Sequence, residues 1–276
     1  LAQTPNVIDN FKLSTSSGST DNNSECTDCC GTKLTPERII QTQKMLADGT
    51  WDEGRSRLLD PRGVETQFVK LTIHIVRYSD GTGGIPESRI STAISDLNNH
   101  VASTGLVFFR HVNTIYLDSD QYADCTSAES YALRAIDPVS SSVNIWFVPN
   151  FIGLCGKSSF PGSATQGIVM NNDCTATTYN HSTFTHEVGH YFNLYHTHET
   201  FLGAECVDGS NCSTAGDLFC DTPADPNLSG NMNPDFSCLY VGSVSDVCGS
   251  GDPYGPATDN IMSYSNSWCR DALTQE

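Results

Sequence analysis

The chain has 276 residues and a formal charge of −18, from 14 Lys+Arg against 32 Asp+Glu. That acidity excludes a nucleic-acid binder, which needs a cationic face to release counterions. At 38% hydrophobic residues the chain is too apolar for a disordered acidic tail, and no apolar run approaches the roughly 18 residues of a membrane span. The length suits one large domain with a core of its own, or two small ones. Twelve cysteines, an even number gathered largely after residue 170 among Gly, Asp and Asn, point to disulfides and a secreted protein. A start at Leu1 without a signal peptide fits a processed form.

Residues 1–33 read as an irregular lead, Ser-, Gly- and Asn-rich over 14–24. Residues 35–48 predict a short helix capped by Thr35, with Gly49 just past its end. Arg55, Arg57 and Arg62 follow in a polar stretch that marks a boundary. Residues 1–67 are therefore an N-terminal extension or propeptide remnant, and 68–276 the main domain. The β-branched, alternating run 69–78 predicts a strand. Residues 86–101 predict an amphipathic helix, since Ile90, Ala93, Ile94 and Leu97 recur at helical spacing. Further strands are expected over 106–117, 142–148 and 167–170, and a helix over 180–195. The remainder to about 258 is rich in loops and cysteines. This order predicts an α+β domain with a twisted mixed sheet and a C-terminal part held by disulfides.

The chemistry lies in His186-Glu187-Val188-Gly189-His190. Residues four apart on a helix share a face, so two imidazoles can grip one Zn²⁺ at about 2.0–2.1 Å. Glu187, about 100° around the helix, stands beside the ion, where it can take a proton from water. His196 follows six residues after His190, about 240° off that face. The helix must break near Asn193 for His196 to return, and Asn is the non-Gly residue that best tolerates positive φ. His198 competes for the third place, but the spacing favours His196. Further on, Asn260-Ile261-Met262-Ser263-Tyr264 puts a soft Met in a turn and a hydroxyl two residues later. His74, His100 and His111 read as packed or surface histidines, and His181 as a residue at the start of the zinc helix able to line a cleft. No GxSxG is present, which leaves a serine hydrolase without support. A non-catalytic module keeping the metal for structure is disfavoured by the intact Glu187 and Tyr264.

HEVGHYFNLYH followed by NIMSY resembles the metzincin metallopeptidases, and HEVGH…LYHT with Gly216-Asp217 and Asp221-Thr222-Pro223 is similar to the pappalysin family in particular. The resemblance covers roughly 68–276, divided near 196/197 into N- and C-terminal subdomains. Asn193 stands where the family has Gly, and the chain ends at Glu276, where a last helix is expected to continue. The resemblance implies a secreted zinc endopeptidase acting on proteins or peptides, with cleavage next to basic residues. It implies zinc on His186, His190 and His196, Glu187 as general base and then acid, Tyr264 as transition-state stabiliser and Met262 as the floor of the site. It implies an extended substrate paired to an edge strand at 167–170. Asp217, the Phe219 carbonyl and Thr222 match a structural calcium site, or else form an ordinary Asp-rich turn. It also suggests the disulfides Cys206–Cys248 and Cys238–Cys269, while nearness makes Cys212–Cys220 plausible. Cys26, Cys29 and Cys30 leave two options: a disulfide-tethered extension, or a thiolate that ligates zinc and keeps the enzyme latent, with Arg55 or Arg57 as the cleavage point. Oligomeric state is not legible.

Overall fold

A computed structural model describes residues 30–51, 66–233 and 236–274. The first element is helix α1, Pro36–Asp48. Thr35 caps it by accepting a hydrogen bond from the Arg38 N–H, and Gly49 ends it in the left-handed region at φ 77°. Cys26 and Cys29, and the proposed cleavage points at Arg55 and Arg57, lie outside the described residues.

The central sheet holds six strands among the described residues. β1 (Gln67–Arg77) pairs in parallel with β2 (Leu106–Arg110), β3 (Ile115–Asp118) and β5 (Val143–Val148). β8 (Ile168–Asn171) lies parallel to β5, and β7 (Gly156–Ser158) closes the sheet antiparallel to β8. Two-residue strands β4 (Asp124–Cys125) and β6 (Asn150–Phe151) make a small separate ladder. Between them in sequence stand α2 (Glu87–His100), α3 (Asp120–Ala123) and α4 (Glu129–Leu133), and α5 (Thr183–Tyr191) follows the sheet.

β5 reads VNIWFV and is buried along its whole length, as a strand covered on both faces must be. One face packs Leu71, Ile73, Ile75, Ile145 and Phe147 on Ile90 and Leu97 of α2 and Phe184 and Val188 of α5. The other packs Val76, Trp146, Val148 and Val169 on Leu133 and Phe151. A third cluster joins the N-terminal segment to the region after α5: Leu34 and Trp51 meet Phe160, Tyr195 and Leu218.

Three expectations are corrected. The single strand expected at 106–117 is two, since the chain leaves the sheet after Arg110 and rejoins β1 at Ile115, farther along the same edge. The helix expected over 180–195 is shorter at both ends. The strand expected to be the edge, at 167–170, is internal, because β7 covers its outer side and is itself the edge. β7 is only three residues long and broken by glycine, too short to carry a periodic signal.

After α5 the described chain has no helix or strand longer than an isolated bridge. Cys206–Cys248, Cys212–Cys220 and Cys238–Cys269 cross-link it, in the pairings expected. A fourth bridge, Cys155–Cys174, ties the start of β7 to the turn after β8. Cys30 and Cys125 are free thiols among the described residues, both buried.

Candidate metal centre and active site

Helix α5 carries His186, Glu187 and His190, and its residues 183–190 are all buried. It stops in a two-bond cap. The Asn193 N–H reaches the His190 carbonyl at 3.0 Å, and the Leu194 N–H reaches the Gly189 carbonyl at 3.0 Å. Asn193 sits between them at φ 78°. This is the Schellman pattern with Asn in the left-handed position. The reversal returns the chain, and His196 comes back to face the helix.

The Nε2 atom of His190 lies 3.1 Å from that of His186 and 3.0 Å from that of His196. His186 donates its Nδ1–H to the Ile261 carbonyl at 2.7 Å, and His190 its Nδ1–H to the Leu194 carbonyl at 2.8 Å. Carbonyls only accept, so in the neutral ring each Nε2 is left with a lone pair and no hydrogen. Burial holds both rings neutral: His186 is pushed well below the usual range, and His190 down to about 4. Lone pairs this close repel unless a cation lies between them. Tetrahedral zinc with bonds of about 2.0–2.1 Å would space such nitrogens about 3.3 Å apart. The donor set therefore fits one ion.

A fourth donor is present. Cys30 Sγ lies 3.5 Å from His190 Nε2, and the ligand atoms of Cys30, His186, His190 and His196 all fall within 4.8 Å of one another. The segment carrying it bridges β7 in parallel at Cys30 and Gly156, with Gly31 N–H donating to the Gly156 carbonyl at 2.7 Å.

Glu187 is fully buried, and burial pushes its carboxyl up to about 7. Its Oε2 accepts from the Thr32 hydroxyl at 2.8 Å, and that hydroxyl accepts from the Ser158 N–H at 2.7 Å. Oε1 has no partner among the described residues. Gly156 makes room for this carboxylate, since a Cβ there would stand 2.6 Å from Glu187 Cγ. Neither Thr32 nor Gly156 announces itself in the sequence. Arg270, also unforeseen, is partly buried and bonds the Ser263 carbonyl and the Thr183 hydroxyl.

Met262 lies beneath the helix: a Cβ on Gly189 would come 2.5 Å from its Sδ. Asn260 Oδ1 accepts from the Met262 N–H at 2.8 Å and shapes the turn. The Tyr264 ring packs 4.6 Å from that of His196. His198 stacks behind His196 at 5.0 Å rather than joining the three. His74 bonds Asn144, His100 bonds Thr185, and His181 pairs with Asp96 in an exposed position. Asp217 and Thr222 are buried, and the Asp217 carboxylate accepts from the Phe219 N–H at 3.0 Å. Glu205, not foreseen, is buried near Asp217, and its Oε2 has no partner among the described residues.

The peptidase M43 family, described as pregnancy-associated plasma protein-A, matches residues 155–276. An extracellular metalloprotease of Podospora anserina is 29% identical over 267 residues, covering 89% of this chain and 84% of the relative. One from Trichophyton verrucosum is 29% identical over 215 residues, covering 73% of this chain and 71% of the relative. Among solved structures, a mutant promirolysin of Tannerella forsythia superposes with a TM-score of 0.58 at 20% identity, over 89% of both chains. Mirolysin in complex with compound 9 gives 0.53 at 20% identity, over 77% of this chain and 88% of that one. Fold, histidine cluster and relatives agree: residues 155–276 match the peptidase M43 family model, the fold is metzincin-like, and the chain is a metalloendopeptidase.

Proposed function

We propose that the chain is a secreted zinc endopeptidase and that its three histidines, His186, His190 and His196, hold the catalytic ion. The observation that carries this is the convergence of three Nε2 atoms, two of them with Nδ1 committed to carbonyls. Zinc bound there supplies a Lewis acid that acidifies water and polarises a peptide carbonyl. Glu187 is the general base: with its carboxyl pushed up to about 7, it is suited both to accept the proton of water and to return it to the leaving amine. The Tyr264 hydroxyl donates to the developing oxyanion. Met262 supports the histidines from below. The extended substrate pairs with the β7 edge, Gly156–Ser158.

The described form is the latent one in this reading. Cys30 is the fourth ligand, and Thr32 occupies the carboxylate that would serve as base. Residues 1–67 then act as a propeptide, and 68–276 as the catalytic domain. The promirolysin structure overlaying more of this chain than the mirolysin one is in keeping with this.

Secretion is supported by the disulfides and by relatives named as extracellular. Cleavage next to basic residues accords with the charge of −18. A structural calcium on Asp217, the Phe219 carbonyl and Thr222 is supported by Glu205. Burial and the charge of Asp217 push its carboxyl up to about 8, and burial pushes Asp217 up to about 7, which a cation between them would relieve.

The test is hydrolysis of a peptide library by the processed protein, with and without a zinc chelator. The expected result is cleavage abolished by chelation and restored by zinc. Cleavage indifferent to chelation would overturn the reading. Glu187→Gln should lower turnover about 100-fold or more with zinc retained, and Tyr264→Phe about 10–100-fold.

A further inference from the structure

A cavity of about 680 Å³ opens beside β7, between the segment 30–36 and a wall formed by α4, Arg134 and β7. Its charge runs against that of the chain. The protein has 32 acidic side chains to 14 basic ones, yet Lys33, Arg134 and Lys157 line this cavity and no Asp or Glu does.

Two of these cations belong to the catalytic domain, and both are buried: Arg134 is 2% exposed and Lys157 7%. Neither has an ion-pair partner among the described residues. Arg134 donates from Nη1 to the Gly167 carbonyl at 3.2 Å, and its Nε is buried without a partner. Lys157 Nζ donates to the Ser127 carbonyl and hydroxyl at 3.1 and 2.8 Å. Both flank one ring: the Arg134 guanidinium lies 4.9 Å, and Lys157 Nζ 4.2 Å, from the centre of Tyr131. A buried cation without a counterion is costly. Two around one ring, facing open space, form a recess built for an anion.

Its location gives the anion a source. Lys157 is the middle residue of β7, and the residue before it, Gly156, abuts Glu187. A peptide running along β7 past the reaction centre passes the mouth of the cavity, as the segment 30–36 does here. That segment brings no acidic residue to it.

We propose that this cavity is a substrate subsite for a carboxylate side chain, with Arg134 and Lys157 binding an Asp or Glu of the peptide aligned on β7. The inference rests on the reading of β7 as the substrate strand, and it concerns a different position from the basic residue beside the cleaved bond. It is tested in two arms. In the first, the zinc-loaded processed enzyme is profiled on a peptide library by mass spectrometry. In the second, which needs no turnover, Glu- and Gln-containing versions of one peptide are bound to the Glu187→Gln protein and followed by fluorescence anisotropy. The expected result is a preference for Glu over Gln of about ten-fold or more at one position in each arm, the scale of one charge-assisted hydrogen bond. Lys157→Met, which keeps the buried stem, should erase the preference for Glu over Gln at that position in both arms. Arg134→Met is the second variant should the first not fold. Cleavage without acidic preference at any position in wild type overturns the subsite and leaves the peptidase standing. A Glu preference in binding with no cleavage of any peptide overturns the peptidase and leaves the subsite. A preference that survives both substitutions overturns the assignment to these residues.

Discussion

Asn193 carries a conformation that most side chains resist. At φ 78° a β-branched residue clashes with its own backbone, whereas Asn is tolerated and Gly is free. Asn193→Val should therefore cost about 1–3 kcal/mol in thermal or denaturant unfolding and weaken zinc binding, because His196 lies three residues beyond the turn. Asn193→Gly should leave both nearly unchanged in the processed enzyme. In the full chain, Asn193 Oδ1 also accepts from the Arg38 guanidinium of α1, so the Gly variant should hold its N-terminal segment more loosely. The spacing of four and six was enough to place this turn and to bring the third histidine back. Thr32 and Gly156 were not legible. A threonine and a glycine in loop-like sequence have no periodicity, and their meaning comes only from the buried carboxylate between them.

Gly156 shows how one short element fixes a buried carboxylate. The backbone of β7 runs against Glu187, and an added Cβ would meet its Cγ, Oε1 and Cδ at 2.6 to 2.9 Å. Gly156→Ala should displace the carboxylate and lower turnover about 100-fold, the scale of general-base catalysis, while zinc content stays at wild type. Unchanged turnover would mean that the strand has room to move. The Cys155–Cys174 bridge anchors the same strand across a separation of 19 residues. Replacing both cysteines by Ser should cost about 3 kcal/mol by loop-closure entropy, read from the unfolding midpoint under oxidising conditions. The helix α2 was legible because one face is buried and its apolar residues keep the helical period, and β1 because its long β-branched run suits a strand, although residues 71–76 are buried on both faces. The two strands read as one at 106–117 failed for the converse reason. His111 to Thr114 leave the sheet, yet Val112 keeps the run looking apolar.

Over the whole molecule, residues 30–51 pack against the region around the histidines and Glu187. Leu34 and Trp51 are buried against Phe160 and Tyr195, the Thr42 hydroxyl meets that of Tyr195 at 2.6 Å, and Cys30 and Thr32 reach the histidines and Glu187. Each fully buried large apolar side chain contributes about 1.5–3 kcal/mol, so apolar docking of α1 supports a single thiol contact at the centre. The sequence offered this arrangement only as one of two options for three neighbouring cysteines, because nothing in its spacing says which thiol reaches a site more than 150 residues away. X-ray absorption at the zinc edge of the 276-residue chain tests the centre directly. The account predicts one zinc per chain with three nitrogens at about 2.0 Å and one sulfur at about 2.3 Å, and in Cys30→Ala the same three nitrogens with oxygen in place of sulfur. Zinc bound by fewer than three imidazoles, or protein prepared with zinc that retains none, would contradict it.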